Sequence, residues 1–100
     1  MAVIVERTEY WALPGKEAQV LAHRKHASAV REGMGLVAGT IRTHREGTGP
    51  TVSWQASFAD EAAHIADQTA RNQSAEFGAV RDHMNTLISR FERIVEAEEV

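Results

Sequence analysis

Residues 3–12, VIVERTEYWA, set β-branched and aromatic side chains among charged ones at short intervals, and the pattern predicts a strand. The next three residues, LPG, stop it: Pro14 fixes its own φ and Gly15 frees the turn. Over 16–34 the spacing predicts a helix, because Lys16, Val20, His23, Ala27, Val30 and Met34 recur in steps of three and four and share a face. Arg24, Lys25, Arg31 and Glu32 then fall around its flanks. GMG at 33–35 ends the helix, since glycine accepts a left-handed cap. LVAGTIRTHRE (36–46) is a second strand, GTGP (47–50) a turn, and TVSWQASF (51–58) a third strand with Val52, Trp54, Ala56 and Phe58 on one side. The connection between these two strands is short, which predicts a hairpin. ADEAAHIADQTARN (59–72) is a helix capped by Asp60, with Ala62, Ile65, Ala66 and Thr69 as its stripe. RNQS (71–74) breaks it, and Ser74 caps a further helix in which Phe77, Val80, Met84 and Leu87 recur at helical spacing. LISRFERIVEAEEV (87–100) returns to strand character through about Val95, followed by a frayed acidic tail.

The order is β-α-β-β-α-β, with the second helical segment in two pieces. It predicts an α+β fold of ferredoxin-like arrangement: one antiparallel sheet with helices on one face, filling residues 1–100 as a single domain. The strands carry apolar residues on both sides, Val3 and Val5 against Ile4 and Tyr10, and Phe91 and Val95 against Ile94. Strands buried on both faces lose clean alternation. The second face is therefore expected to pack on a partner, most simply another copy of the chain.

Composition changes this picture little. With 43% hydrophobic residues the 100-residue chain can build a core, yet a domain this small leaves apolar surface that a second copy would cover. Asp and Glu outnumber Lys and Arg by 14 to 11, and no aromatic residues interleave with Arg24, Lys25 and Arg31. Nucleic acid is therefore not expected as a partner, and that basic run reads as a solvated helix face. The chain has no cysteine, which removes disulfides, thiolate nucleophiles and cysteine metal sites and fits a cytoplasmic location. No stretch approaches a membrane span and the N-terminus has no signal-peptide pattern. Phosphate-cradling glycine loops, dinucleotide fingerprints and nucleophile elbows are absent.

Two stretches carry a family resemblance. ERTEYWALPGKEAQVL (6–21) resembles the opening of NIPSNAP-like proteins, where a strand with an aromatic leads through Pro-Gly-Lys into the first helix. VSWQASFADEAAHIADQTARNQSAEF (52–77) is similar to antibiotic-biosynthesis-monooxygenase domains: a strand tryptophan, an acidic helix start, an alanine pair and a histidine, then a break. Both belong to the dimeric α/β-barrel group. The resemblance implies a homodimer whose sheets pack face to face, with a ligand pocket between sheet and helices in each subunit. Haem-degrading members of the group place an asparagine on the first strand and a tryptophan and histidine in the second helical region. Here the first strand has no asparagine and both tryptophans, Trp11 and Trp54, lie on strands, which speaks against haem degradation.

His23 and His26 are about 60° apart around a helix, so both could touch one ion. Further ligands at suitable spacing are missing, since Glu17 and Glu32 fit poorly, and no metal is expected. His23 lies on the apolar stripe and would face the sheet. In a pocket there its imidazole is the residue type for acid–base work, and it is the catalytic candidate. Arg42 and His44 share one side of their strand and either reach a pocket or lie at an exposed end. Trp54 reads as core or dimer seam, with a ligand wall as its functional role. His64 matches the histidine of the resembling domains and reads first as a structural residue. Tyr10, Arg42, His44, Trp54 and His64 form the expected substrate-binding set. Two functions are consistent with these readings. One is a small-molecule binder or cofactor-independent monooxygenase, in which His23 with Tyr10, Arg42 or His44 deprotonates a small, phenolic or otherwise acidic substrate without metal or flavin. The other is a non-enzymatic homodimeric module whose pocket is filled by side chains.

Overall fold

The computed structural model describes residues 2–99. Its elements are β1 (Val3–Ala12), α1 (Glu17–Gly33), β2 (Thr40–Thr43), β3 (Val52–Phe58), α2 (Glu61–Asn72), α3 (Ala75–Met84) and β4 (Ile88–Glu98). The four strands form one antiparallel sheet in the order β2-β3-β1-β4. β3 therefore inserts between β1 and β2, and β4 closes the other edge of β1. This is the expected ferredoxin-like α+β arrangement, with the second helical segment split in two.

Local chemistry accounts for the boundaries. Gly15 and Gly39 both have φ near 80°, in the left-handed region, and a side chain on Gly39 would run into the Trp54 indole. That close approach lets the Trp54 Nε1–H donate to the Ala38 carbonyl at 2.7 Å. The stretch before β2 is consequently a loop packed over Trp54, and the strand is shorter than 36–46. The Asp60 side chain accepts from Ala63 N at 2.8 Å and Ser74 Oγ from Phe77 N at 3.0 Å, so both helix starts are capped as expected. β4 runs on to Glu98, past the expected end at about Val95, because it pairs with β1 as far as Val3.

Register assigns the two sheet faces. Ile4, Glu6, Thr8 and Tyr10 of β1 lie opposite Phe58, Ala56, Trp54 and Val52 of β3, and all point toward the helices. Tyr10, Val20, Val52, Trp54, Ala56, Phe58, Met84, Leu87 and Ile88 form the main core, and Ala27, Val30 and Val80 a second cluster between α1 and α3. The other face carries Val3, Val5, Arg7, Glu9 and Trp11 of β1, paired with Glu98, Glu96, Ile94, Glu92 and Arg90 of β4. That face is mixed rather than apolar. It holds a guanidinium over an indole, Arg90 on Trp11 at 3.8 Å, and the Arg7–Glu96 ion pair at 3.2 Å.

Among the described residues, no helix is long and apolar enough to cross a membrane.

Candidate functional site

A cavity of about 420 Å³ lies between the helix-facing side of the sheet and the three helices. Trp54, Phe77, Val80, Met84 and Phe91 give it apolar walls. Five guanidinium groups also line it: Arg24 and Arg31 of α1, Arg71 of α2, Arg81 of α3 and Arg93 of β4. The chain as a whole is acidic, so this concentration of positive charge is local.

Arg24 is the unusual member. It is 5% exposed, and among the described residues no carboxylate pairs with it. Its Nη1 donates to the Tyr10 hydroxyl at 3.1 Å, Nη2 makes a long 3.5 Å contact with Ser28 Oγ, and Nε has no hydrogen-bond partner. Burial pushes its pKa below the ordinary guanidinium value, and the Tyr10 hydroxyl opposes that shift. A buried charge without a counter-ion is costly.

Arg31, Arg71 and Arg93 belong to a compensated network. Glu6, 1% exposed, accepts from Arg71 at 2.7 and 2.8 Å, from His64 Nε2 at 2.7 Å, and from Arg93 at 3.2 and 3.4 Å. Desolvation by burial raises the Glu6 pKa. The Arg71 and His64 hydrogen bonds, the Arg71 charge and the Arg93 contact together outweigh it and lower the value to about 2. Arg31 pairs with Asp67 in a two-pronged bridge at 2.6 and 3.2 Å and donates through Nε to the Val37 carbonyl at 2.7 Å. Asp67 also lies 3.6 Å from Arg71 Nε. The Arg24 and Arg31 guanidinium carbons sit 5.0 and 4.7 Å from the Trp54 ring centre, so the indole is a shared support for both.

The expected site residues separate in space. Tyr10 and Trp54 line the cavity. His64 is buried next to it, donates to Glu6 of β1, and sets its ring tilted against Phe58 at a 5.0 Å centre-to-centre distance. Arg42, on the outer edge strand, and His44, just after it, are exposed and do not line the cavity. His23 does not face the sheet. Its Nε2 sits 2.7 Å from the Val80 carbonyl and its ring packs edge-on against His83, in a shallow groove between α1 and α3 with His26. The reason is helical phase. Val20, Arg24, Ala27 and Arg31 mark the inward face, and His23 lies about 60° to one side of Val20. Among the described residues, no group of three or more His, Asp or Glu side chains is placed to hold a metal ion.

The same phase corrects the basic run: Arg24 and Arg31 are buried cavity residues, not a solvated face. In α2 the expected stripe is also turned outward. Ile65 is 53% exposed, while His64 and Asp67 are buried. The available signal was Val20-Arg24-Ala27-Arg31, a clean four-three-four spacing, with His64-Asp67-Arg71 repeating it in α2 and Glu6 on the inward side of β1. Polar residues at inward spacing on three elements mark a charge network.

A ferredoxin-like α+β domain with an arginine-lined cavity beneath its helices is the class that the fold and site define. Among solved structures, the fold is shared with a NIPSNAP family protein from Agrobacterium tumefaciens, with a TM-score of 0.76 at 15% identity over 97% of this chain and 86% of that one. A putative antibiotic biosynthesis monooxygenase from Bacteroides thetaiotaomicron gives 0.70 at 18% identity, over 98% and 90% of the two chains. A dimeric protein of unknown function from Bacteroides fragilis gives 0.72 at 9% identity, over 96% of each. These likenesses agree with the expected NIPSNAP and antibiotic-biosynthesis-monooxygenase fold group. No family model and no curated protein matches the sequence.

Proposed function

We propose that the chain binds a small anionic molecule with an apolar body in the cavity, and that Arg24, with Tyr10, holds its acidic group. The observation that carries this reading is the buried Arg24 guanidinium, which lines a cavity of ligand size and has no carboxylate partner among the described residues. Trp54 and Phe77 supply flat apolar walls for the rest of the ligand. The module with a filled pocket is disfavoured by the cavity volume, which exceeds that of a water cluster. The test has two arms. Native mass spectrometry of protein purified from its own host should show a bound acidic molecule. Calorimetry with p-toluate, an aromatic monoanion, should give saturable binding that Arg24→Met weakens at least tenfold. The same substitution should leave the unliganded protein as stable or about 1 kcal/mol more stable in urea, because it removes an uncompensated buried charge. Binding unaffected by Arg24→Met, or no binding in either arm, overturns the reading.

Oxygenation is the second reading, supported by a cation placed to hold a phenolate beside the Trp54 and Phe77 walls. Among the described residues, the cavity lining contains no histidine or carboxylate to act as a base. Arg24 would instead favour the phenolate by its charge. The balanced reaction is a phenol and one dioxygen giving a quinone and one water, measured as oxygen uptake with a bound phenol.

The same proposal includes a homodimer through the mixed sheet face. It is supported by the Bacteroides fragilis structure, which is of a dimeric protein.

A further inference from the structure

The side chains that line the cavity divide by exposure. Tyr10 of β1, Arg24, Ala27 and Arg31 of α1 and Trp54 of β3 are buried and form its floor. Arg81 and Asn85 of α3 and Phe91 and Arg93 of β4 are exposed. Phe91 is 55% exposed even though its register, opposite Tyr10, puts it on the helix-facing side of the sheet. β4 is an edge strand, and the cavity opens between it and α3.

The two arginines at this mouth differ. Arg93 is ion-paired to Glu6 at 3.2 Å. Arg81 makes no ion pair among the described residues, and Asp82 beside it in sequence is not part of the lining. The chain as a whole carries a formal net charge of −3, so its overall field opposes an approaching anion. Attraction is therefore local, with one unpaired guanidinium at the mouth and another, Arg24, at the floor. The two act differently. An exposed cation on the rim stays hydrated and pulls through water, which changes the rate of encounter. A buried cation acts on the ligand once water is displaced, which changes the rate of escape.

We infer that Arg81 is the capture residue of the cavity: it draws the anion into the opening between α3 and β4 and sets the rate of entry, while Arg24 sets how long the ligand stays. The inference rests on the anion-binding reading above and adds the route and a selection by charge at the mouth.

The test is an NMR line-shape titration with p-toluate at low ionic strength, which gives both rate constants. Arg81→Gln should lower the association rate about threefold and Arg81→Glu about tenfold. The dissociation rate of both variants should stay within about twofold of wild type. The differences in association should nearly vanish in about 0.5 M salt, where charges on the rim are screened. Arg24→Met should act on the other constant and raise the dissociation rate. Association that Arg81→Glu leaves unchanged overturns the capture role and leaves the anion-binding reading standing. A rise in dissociation as large as the fall in association also overturns it, because Arg81 would then hold the bound ligand. Absence of p-toluate binding by the wild-type protein overturns this inference and the reading beneath it together.

Discussion

Glu6 is the buried carboxylate that Arg71, Arg93 and His64 share. Its pKa falls from 4.5 to about 2 in the folded chain, so the unfolded chain takes up the proton first as pH drops. The stabilisation from this group is therefore fully present above about pH 4.5 and is lost as pH falls from there toward 2. Its size is about 3 kcal/mol, from the span between the two values. Glu6→Gln should lower stability at pH 7 by about that amount. It should also flatten the fall between pH 4.5 and 2, so that the wild-type and variant urea midpoints converge at the acid end. A wild-type protein whose midpoint does not fall across this range would contradict the network. Removing the carboxylate without a polar replacement should cost more, since Arg71 would remain buried without its strongest partner. None of this could be read from Glu6 alone in the sequence. A glutamate in an alternating strand reads as an outward residue until its partners on other elements are known.

At the scale of elements, the helix boundaries were legible because they depend on neighbours in sequence: Asp60 and Ser74 cap the helices they precede. Helix phase was less legible. Apolar stripes identify an inward face only when the interior is apolar, and here the inward faces of α1 and α2 carry Arg24, Arg31, His64 and Asp67. α3, whose inward residues are apolar, was assigned correctly through Val80 and Met84. α3 also forms one wall of the cavity, through Phe77, Val80, Arg81 and Met84, and its start is held by the Ser74 cap. Ser74→Ala should cost about 1 kcal/mol. The loss should concentrate locally, raising amide hydrogen exchange in 75–84 about fivefold relative to the sheet. Uniform acceleration across the chain would show that the helix and sheet open only together.

For the whole molecule, sequence order was enough to give the topology, because β-α-β-β-α-β with short connections leaves few ways to arrange one antiparallel sheet. The character of the second sheet face was not legible to the same degree. Val5 and Ile94 lie there among Arg7, Glu9, Arg90 and Glu92, and only register shows which residues share it. The proposed dimer places this mixed face against its copy, and sedimentation should give twice the chain mass. Val5→Arg adds a like charge near the centre of a self-complementary contact, repeated by symmetry, and should shift the protein to monomer. A monomeric wild-type protein would overturn the dimer. The two faces also differ in what they report. The chain has two tryptophans: Trp11 lies on the proposed contact face under Arg90, and Trp54 lies in the cavity between Arg24 and Arg31. Intrinsic fluorescence is thus divided by the sheet into two optical channels. With Trp11→Phe the remaining emission follows ligand entry, and with Trp54→Phe it follows subunit association, so the two events can be timed separately in one unlabelled protein.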